Sequence, residues 1–341
     1  MNTHRGPMPV AFFGIAVGLF ALANAWRVAS RIWPVPASVA QLLTLGAFAV
    51  WLVLGAAYAH KWIAHRAEAR AELQHPVQSS FVALVPVSAL LAAGALLNYS
   101  HVAAVALFWL AAASGLALGV FLQGRLWQGG RAPELVTPAV YLPAVATNFV
   151  AATASAAFGW HQLGMLFFGA GVLSWLAIES LILHRAAVHE ALPEALRPTL
   201  GIQLAPPVVG GVAYLSLTSG APDLFAYLLL GYGIYQALLL LRLLPWIRQQ
   251  AFAPSYWAFS FGVAALPTMA MRMVERGASG QEAWLAAGLF VLANLAIAVL
   301  VVMTLRQLWQ GKLLPASAPA AAVRPQSPGG ARPAAAAVGA H

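Results

Sequence analysis

The sequence predicts an all-α integral membrane protein. Ten transmembrane helices pair as five helical hairpins, with the odd-numbered helices as an inner ring around a pore and the even-numbered ones as an outer ring. Three observations carry this prediction. The chain of 341 residues is 61% hydrophobic and 8% charged. A soluble domain carries about 25% charged residues, so this chain has too little charge to cover a water-facing surface. Ten apolar runs reach the length of roughly 20 residues that a spanning helix needs. Internal prolines recur in alternate runs at a near-constant interval.

The runs lie at 10–30, 36–60, 80–97, 100–124, 137–158, 160–184, 199–219, 221–243, 255–275 and 282–306. The first is not followed by a small-residue cleavage site, so it reads as a span rather than a signal peptide. The connections "NYS", "GWH" and "TSGAPD" after the third, fifth and seventh runs are short enough to demand tight helical hairpins. The runs are too long and too continuously apolar for the alternating strands of a transmembrane barrel.

Basic residues set the orientation. The N-terminus, the loops after even-numbered spans and the C-terminus hold fourteen, including Lys61, Arg66, Arg70, Arg125 and Arg185. The opposite side holds four: Arg27, Arg31, Arg272 and Arg276. The positive-inside rule then places both termini in the cytoplasm. Residues 1–312 form one ten-helix transmembrane domain. The Ala/Pro-rich segment 313–341 lacks a core-forming pattern and is expected to be a disordered cytoplasmic tail.

The prolines mark a repeat. Pro86, Pro143, Pro206 and Pro267 stand 57, 63 and 61 residues apart, each inside an odd-numbered span. One helical hairpin is the natural unit of such a period. Proline removes a backbone donor and kinks the helix, which lipid tolerates only where protein or a water-filled cavity satisfies the freed carbonyl. The kinked helices are therefore expected to face one another. The odd spans are also rich in small residues. Gly14, Gly18, Gly210 and Gly262 are expected along the pore, although Gly14 and Gly18 also form a G-x-x-x-G that suits plain helix packing.

Catalytic chemistry has no foothold in the sequence. There is no cysteine, which excludes thiolate metal sites and Cys nucleophiles. No H-E-x-x-H, G-x-S-x-G or P-loop occurs. The basic residues sit in short loops rather than on one soluble face, so nucleic acid is not an expected partner. The histidines fall at span ends, in loops or in the tails, and His60 with His184 is the weak candidate for a facing pair. No metal or cofactor is expected, and the chain does not read as an enzyme. Glu179 is the one carboxylate within an apolar run, "WLAIESLILHR". It reads either as a proton carrier or as a structural ion pair or hydrogen bond near His184 and Arg185.

The strings "YLPAVATNF" at 141–149, "LGMLFFGAG" at 163–171, "LLLLRLLPWI" at 238–247 and "YWAFSFG" at 256–262 resemble the tellurite-resistance/C4-dicarboxylate transporter family. That family includes the bacterial TehA proteins and the plant slow-type anion channels. The likeness runs from Phe12 to Lys312. It implies a homotrimer in the bacterial inner membrane, surrounded by lipid, with an anion-selective pore in each protomer. A pore-blocking Phe carries over to Phe261, and family kinks to Pro86, Pro143 and Pro206. A first-span proline of the family is Ala16 here, and Pro267 lies a turn or more past Phe261. The leading expectation is a passive channel for small inorganic or carboxylate anions, gated by Phe261. The alternative is a proton-coupled secondary transporter of C4-dicarboxylates or tellurite.

Overall fold

The computed structural model describes residues 6–314. Segment 315–341, most of the expected tail, lies outside the described residues. Among the described residues ten helices are long and apolar enough to cross a membrane: Val10–Ile32, Ala37–Ala64, Gln78–Leu96, His101–Trp127, Pro138–Ala157, His161–Val188, Glu194–Leu217, Leu224–Ile247, Pro254–Glu275 and Gln281–Trp309. They are called the first to tenth spans below. No strand occurs among the described residues. The sequence placed each span to within a few residues but did not anticipate the polar helix Arg66–Gln74 after the second.

Odd and even spans differ in kind. In the apolar window of each odd span 67–83% of residues are buried, against 22–33% in each even span. The even spans are continuous α-helices whose exposed faces carry Leu, Val and Phe, such as Leu52, Val120, Leu173, Leu241 and Val299. A hydrocarbon phase accepts such a face because every backbone group is satisfied inside the helix. The odd spans contact one another in sequence: the first packs on the third, the third on the fifth, the fifth on the seventh, the seventh on the ninth and the ninth on the first.

Each odd span also starts irregularly and becomes regular α-helix part-way along. The first opens with a 3₁₀ turn at Val10–Phe12, and the third breaks between Phe81 and Leu84. The fifth contains a π-helical turn at Leu142–Ala146. The seventh and ninth open as 3₁₀ helix, at Glu194–Leu204 and Pro254–Phe259.

The prolines account for part of this. Pro86 cannot bond the Val82 carbonyl, which accepts instead from the Val85 N–H at 3.1 Å. Pro143 sits in the π-turn, where the Thr147 hydroxyl donates to the Leu142 carbonyl at 3.1 Å. Pro206 and Pro207 stand in the first α-turn of the seventh span, where no intrahelical donor is needed. Pro267 lies inside a helix that continues through it, and beside it the Thr268 hydroxyl donates to the Ala264 carbonyl at 2.7 Å.

Hairpin closures follow from local chemistry. Gly159 adopts φ 77° after the fifth span, a conformation that favours glycine. The Trp160 N–H then returns to the Ser155 carbonyl at 2.9 Å and the Gly159 N–H to Ala156 at 3.0 Å, the double bond of a Schellman motif. Asp223 caps the eighth span through the Ala226 N–H at 3.0 Å.

Candidate functional site

Two cavities lie within the bundle. The smaller, of about 50 Å³, is almost wholly apolar, with Gly14, Leu84, Tyr141, Pro206, Trp257 and Phe261 in its lining. The larger, of about 320 Å³, includes Asn24, Arg27, Thr153, Phe261, Thr268 and Arg272. Each is lined by residues from all five odd spans, and Thr44 is the single contribution from an even one. Phe261 and Val209 are the two residues that border both.

The smaller cavity lies beside the irregular starts of the odd spans. Its lining takes in Ala146, Ala205 and Ala258, next to the first α-turns at Thr147, Ala205 and Ser260. All five α-segments run away from this end. The partial positive charge of a helix N-terminus is thus brought near a chamber without ionised side chains among its lining residues.

The expected small residues separate into two groups. Gly14 borders the smaller cavity. Gly18, Gly210 and Gly262 stand instead at helix contacts, outside the lining of either cavity. A Cβ on Gly18 would fall 2.3 Å from Ser260 Oγ; one on Gly210, 3.0 Å from the Phe149 ring; one on Gly262, 2.8 Å from Leu204 Cβ. Gly262 therefore provides no free space beside Phe261; the seventh span fills it.

The prolines divide in the same way. Pro206 borders the smaller cavity, whereas Pro86, Pro143 and Pro267 border neither. Pro86 and Pro143 lie against Gly115 and Gly119 of the fourth span. Their packing surface is an even-numbered neighbour rather than the cavity.

Two aromatic residues at the start of the ninth span are interior. Tyr256 and Trp257 are 8% and 2% exposed. The Tyr256 hydroxyl bonds the Ile247 and Gln250 carbonyls at 3.0 and 2.7 Å, and Trp257 Nε1 donates to Thr304 Oγ1 at 2.9 Å. Phe259 stacks on Tyr256 and packs against Gly201. Of the two phenylalanines in the ninth span, it is Phe261 that borders the cavities.

Glu179 is buried and saturated. Oε2 accepts from the Tyr141 hydroxyl at 2.5 Å and from Trp175 Nε1 at 2.9 Å, and Oε1 accepts from the Tyr232 hydroxyl at 2.9 Å. Hydrogen bonds to a charged group contribute about 1.5–3 kcal/mol each. Arg185 turns away to the Pro133 carbonyl at 3.3 Å, so an ion pair with Glu179 is replaced by this hydrogen-bonded cluster. Tyr141 connects the cluster to the wall of the smaller cavity, a link that the sequence did not reveal. His60 lies against His65 and His184 against His189, in place of a facing His60–His184 pair.

Ten apolar helices, with two cavities among the odd-numbered ones, define a multi-pass membrane protein. Residues 7–305 match the SLAC1 family, described as voltage-dependent anion channel, and the chain belongs to that family. It is similar to the tellurite resistance protein TehA homolog of Haemophilus influenzae, 38% identical over 307 residues, covering 90% of this chain and 92% of that one. It is 26% identical to an uncharacterized transporter of Methanocaldococcus jannaschii, over 75% of this chain and 80% of that one. To the S-type anion channel SLAH3 of Arabidopsis thaliana it is 24% identical, over 87% of this chain and 48% of that protein. The family is of the channel or transporter type, and its function is anion transport.

Proposed function

We propose that this protein is an anion-selective channel of the bacterial inner membrane. Small inorganic or carboxylate anions pass passively through a pore ringed by the five odd spans and occluded by Phe261. Residues 1–312 are the channel domain, assembled as a homotrimer with both termini cytoplasmic. The observation that carries this reading is that Phe261 borders both cavities. A ring at that position blocks passage by filling the constriction, and a hydrophobic constriction also gates by dewetting. Anion preference is supported by the helix starts at the smaller cavity and the arginines at the larger one, which supply positive potential without a fixed charge at the constriction.

The carrier reading needs a carboxylate that exchanges protons with the transport path. Glu179 has both oxygens engaged by three donors, with Tyr141 between it and the cavity. That geometry favours a structural role.

The deciding experiment is anion flux in liposomes with chloride, nitrate, malate and tellurite, with and without a pH gradient, for wild type and Phe261→Ala. The channel reading expects the variant to conduct far more and to be indifferent to the gradient. Equal flux in the two proteins would remove Phe261 as the gate. Flux that requires a proton gradient would establish the carrier instead.

A further inference from the structure

The fourth span is 27 residues long, His101–Trp127. At 1.5 Å per residue it measures about 40 Å, more than the roughly 30 Å hydrocarbon core of a bilayer. Its last turn, with Arg125 and Trp127, therefore reaches the headgroup layer. Trp127 is exposed there, as suits an indole at that level. Phe121 and Val120, nearer the middle of the span, are exposed as well and suit contact with lipid tails. The Arg125 guanidinium lies 5.9 Å from the Phe121 ring. Its stem thus follows the apolar face while its charge stays among the headgroups.

Three guanidinium groups gather at this span end. Arg125 makes two long contacts, Nη1 to the Leu73 carbonyl at 3.4 Å and Nη2 to the Gln74 carbonyl at 3.5 Å, and remains exposed. Those contacts bring in the helix Arg66–Gln74, on which Arg70 is exposed one turn before Gln74. Arg131 follows in the loop, half-buried, and joins none of the ion pairs among the described residues. Burial and the Arg125 charge beside it both lower the Arg131 pKa from the ordinary arginine value, as expected of like charges held close. The nearby carboxylates do not relieve them. Glu72 pairs with Lys61 at 2.9 Å, Glu68 lies 3.7 Å from His65, and Glu134 joins no ion pair among the described residues.

We infer that Arg125, Arg131 and Arg70 form a binding site for the headgroup of an anionic phospholipid, whose acyl chains lie along Phe121 and Val120. Crowded cations are stabilised by an anion between them, and in the headgroup layer the anion at hand is a lipid phosphate. Its several acceptor oxygens suit more than one guanidinium fork, and basic pockets at the ends of membrane helices take such headgroups. A zwitterionic lipid carries the same phosphate but returns an ammonium to the cluster, so the site prefers a lipid of net negative charge. None of the three arginines lines either cavity, so the inference stands apart from the transport reading.

Native mass spectrometry of the full-length protein in a neutral detergent tests it, with phosphatidylglycerol and phosphatidylcholine of equal chain length supplied together. Wild type should retain phosphatidylglycerol at least about five-fold over phosphatidylcholine. R125Q/R131Q should lose that preference, and R131Q alone should lower it by at least about two-fold. R242Q/R248Q removes the same charge at two exposed residues of the eighth-span end and should keep the wild-type preference. Added glycerol phosphate, the soluble headgroup, should leave the bound lipid in place. No preference in wild type, full preference in R125Q/R131Q, or an equal loss in R242Q/R248Q would each overturn the site. Displacement by glycerol phosphate would make it a site for free phosphate instead. A changed oligomeric mass of R125Q/R131Q in the same spectra would assign this face to a subunit contact and overturn the lipid.

Discussion

Phe261 on the ninth span and Val209 on the seventh, one aromatic and one β-branched, are the two residues that border both cavities. Truncating the larger should open the path. Phe261→Ala is expected to raise single-channel anion conductance in planar bilayers by at least about ten-fold. Phe261→Leu should fall between wild type and Ala. Val209→Ala should produce a smaller rise, because it removes two methyl groups rather than a ring. Conductance that does not follow this order would show that the constriction lies elsewhere.

The first and ninth spans meet through Gly18 and Ser260. A Cβ on Gly18 would lie 2.3 Å from Ser260 Oγ and 2.5 Å from Ser260 Cβ. Overpacking a tight contact costs about 1–3 kcal/mol. Gly18→Ala should therefore lower the apparent melting temperature in detergent. Adding Ser260→Gly removes both clashing atoms and should recover part of the loss. A double-mutant cycle measures the coupling, and strictly additive effects would show that the two residues do not share this contact.

The cluster around Glu179 predicts a separation of stability from transport. Glu179→Gln leaves one acceptor oxygen and one amide donor facing three donors, and an unsatisfied buried group costs about 1–3 kcal/mol. The variant should melt earlier and should show the same response of anion flux to a pH gradient as wild type. A change in that response at equal folded yield would give Glu179 a role in proton movement.

At the start of the odd spans, Lys61 Nζ donates to Glu72 Oε2 at 2.9 Å and to the Met8 carbonyl at 3.2 Å, and Glu72 Oε1 accepts from the Val10 N–H at 2.9 Å. Both ionic side chains are buried. Removing one partner of such a pair typically costs about 3–5 kcal/mol, because the remaining charge stays buried. Lys61→Met alone should destabilise strongly. Lys61→Met with Glu72→Leu should recover much of the stability and leave the Val10 N–H and the Met8 carbonyl without these partners. Thermal melts of the single and double variants decide this, and a double variant no better than the single one would show that the pair is not the anchor.

How legible each residue was depends on what determines its place. The odd-even contrast showed in the prolines and small residues of the odd spans, because a kinked helix needs protein beside it in lipid. The polar helix Arg66–Gln74 was not legible, because it is held by Glu72, whose partners Lys61 and Val10 belong to other elements. Trp257 lies at a span end, where a tryptophan suits the membrane interface. The ring is instead buried because the tenth span brings Thr304 to its Nε1. Gly18, Gly210 and Gly262 were recognisable as small, but smallness serves a cavity wall and a helix contact equally well.

The sequence by itself determined the ten spans, their pairing and their division into two kinds. These follow from local requirements: apolar length, the missing donor of proline, and short polar turns. Only the tertiary structure decided which face of each odd span borders a cavity. Four of those spans open with 3₁₀ or π turns, which advance a different angle per residue from the α-helix that follows, and the third breaks between two α-segments, so the facing of a side chain depends on where the change occurs. That change lies between Phe259 and Ser260 in the ninth span. Its position is stabilised by neighbours such as Gly201 against Phe259 and Leu204 against Gly262, contacts that exist only once the spans have packed.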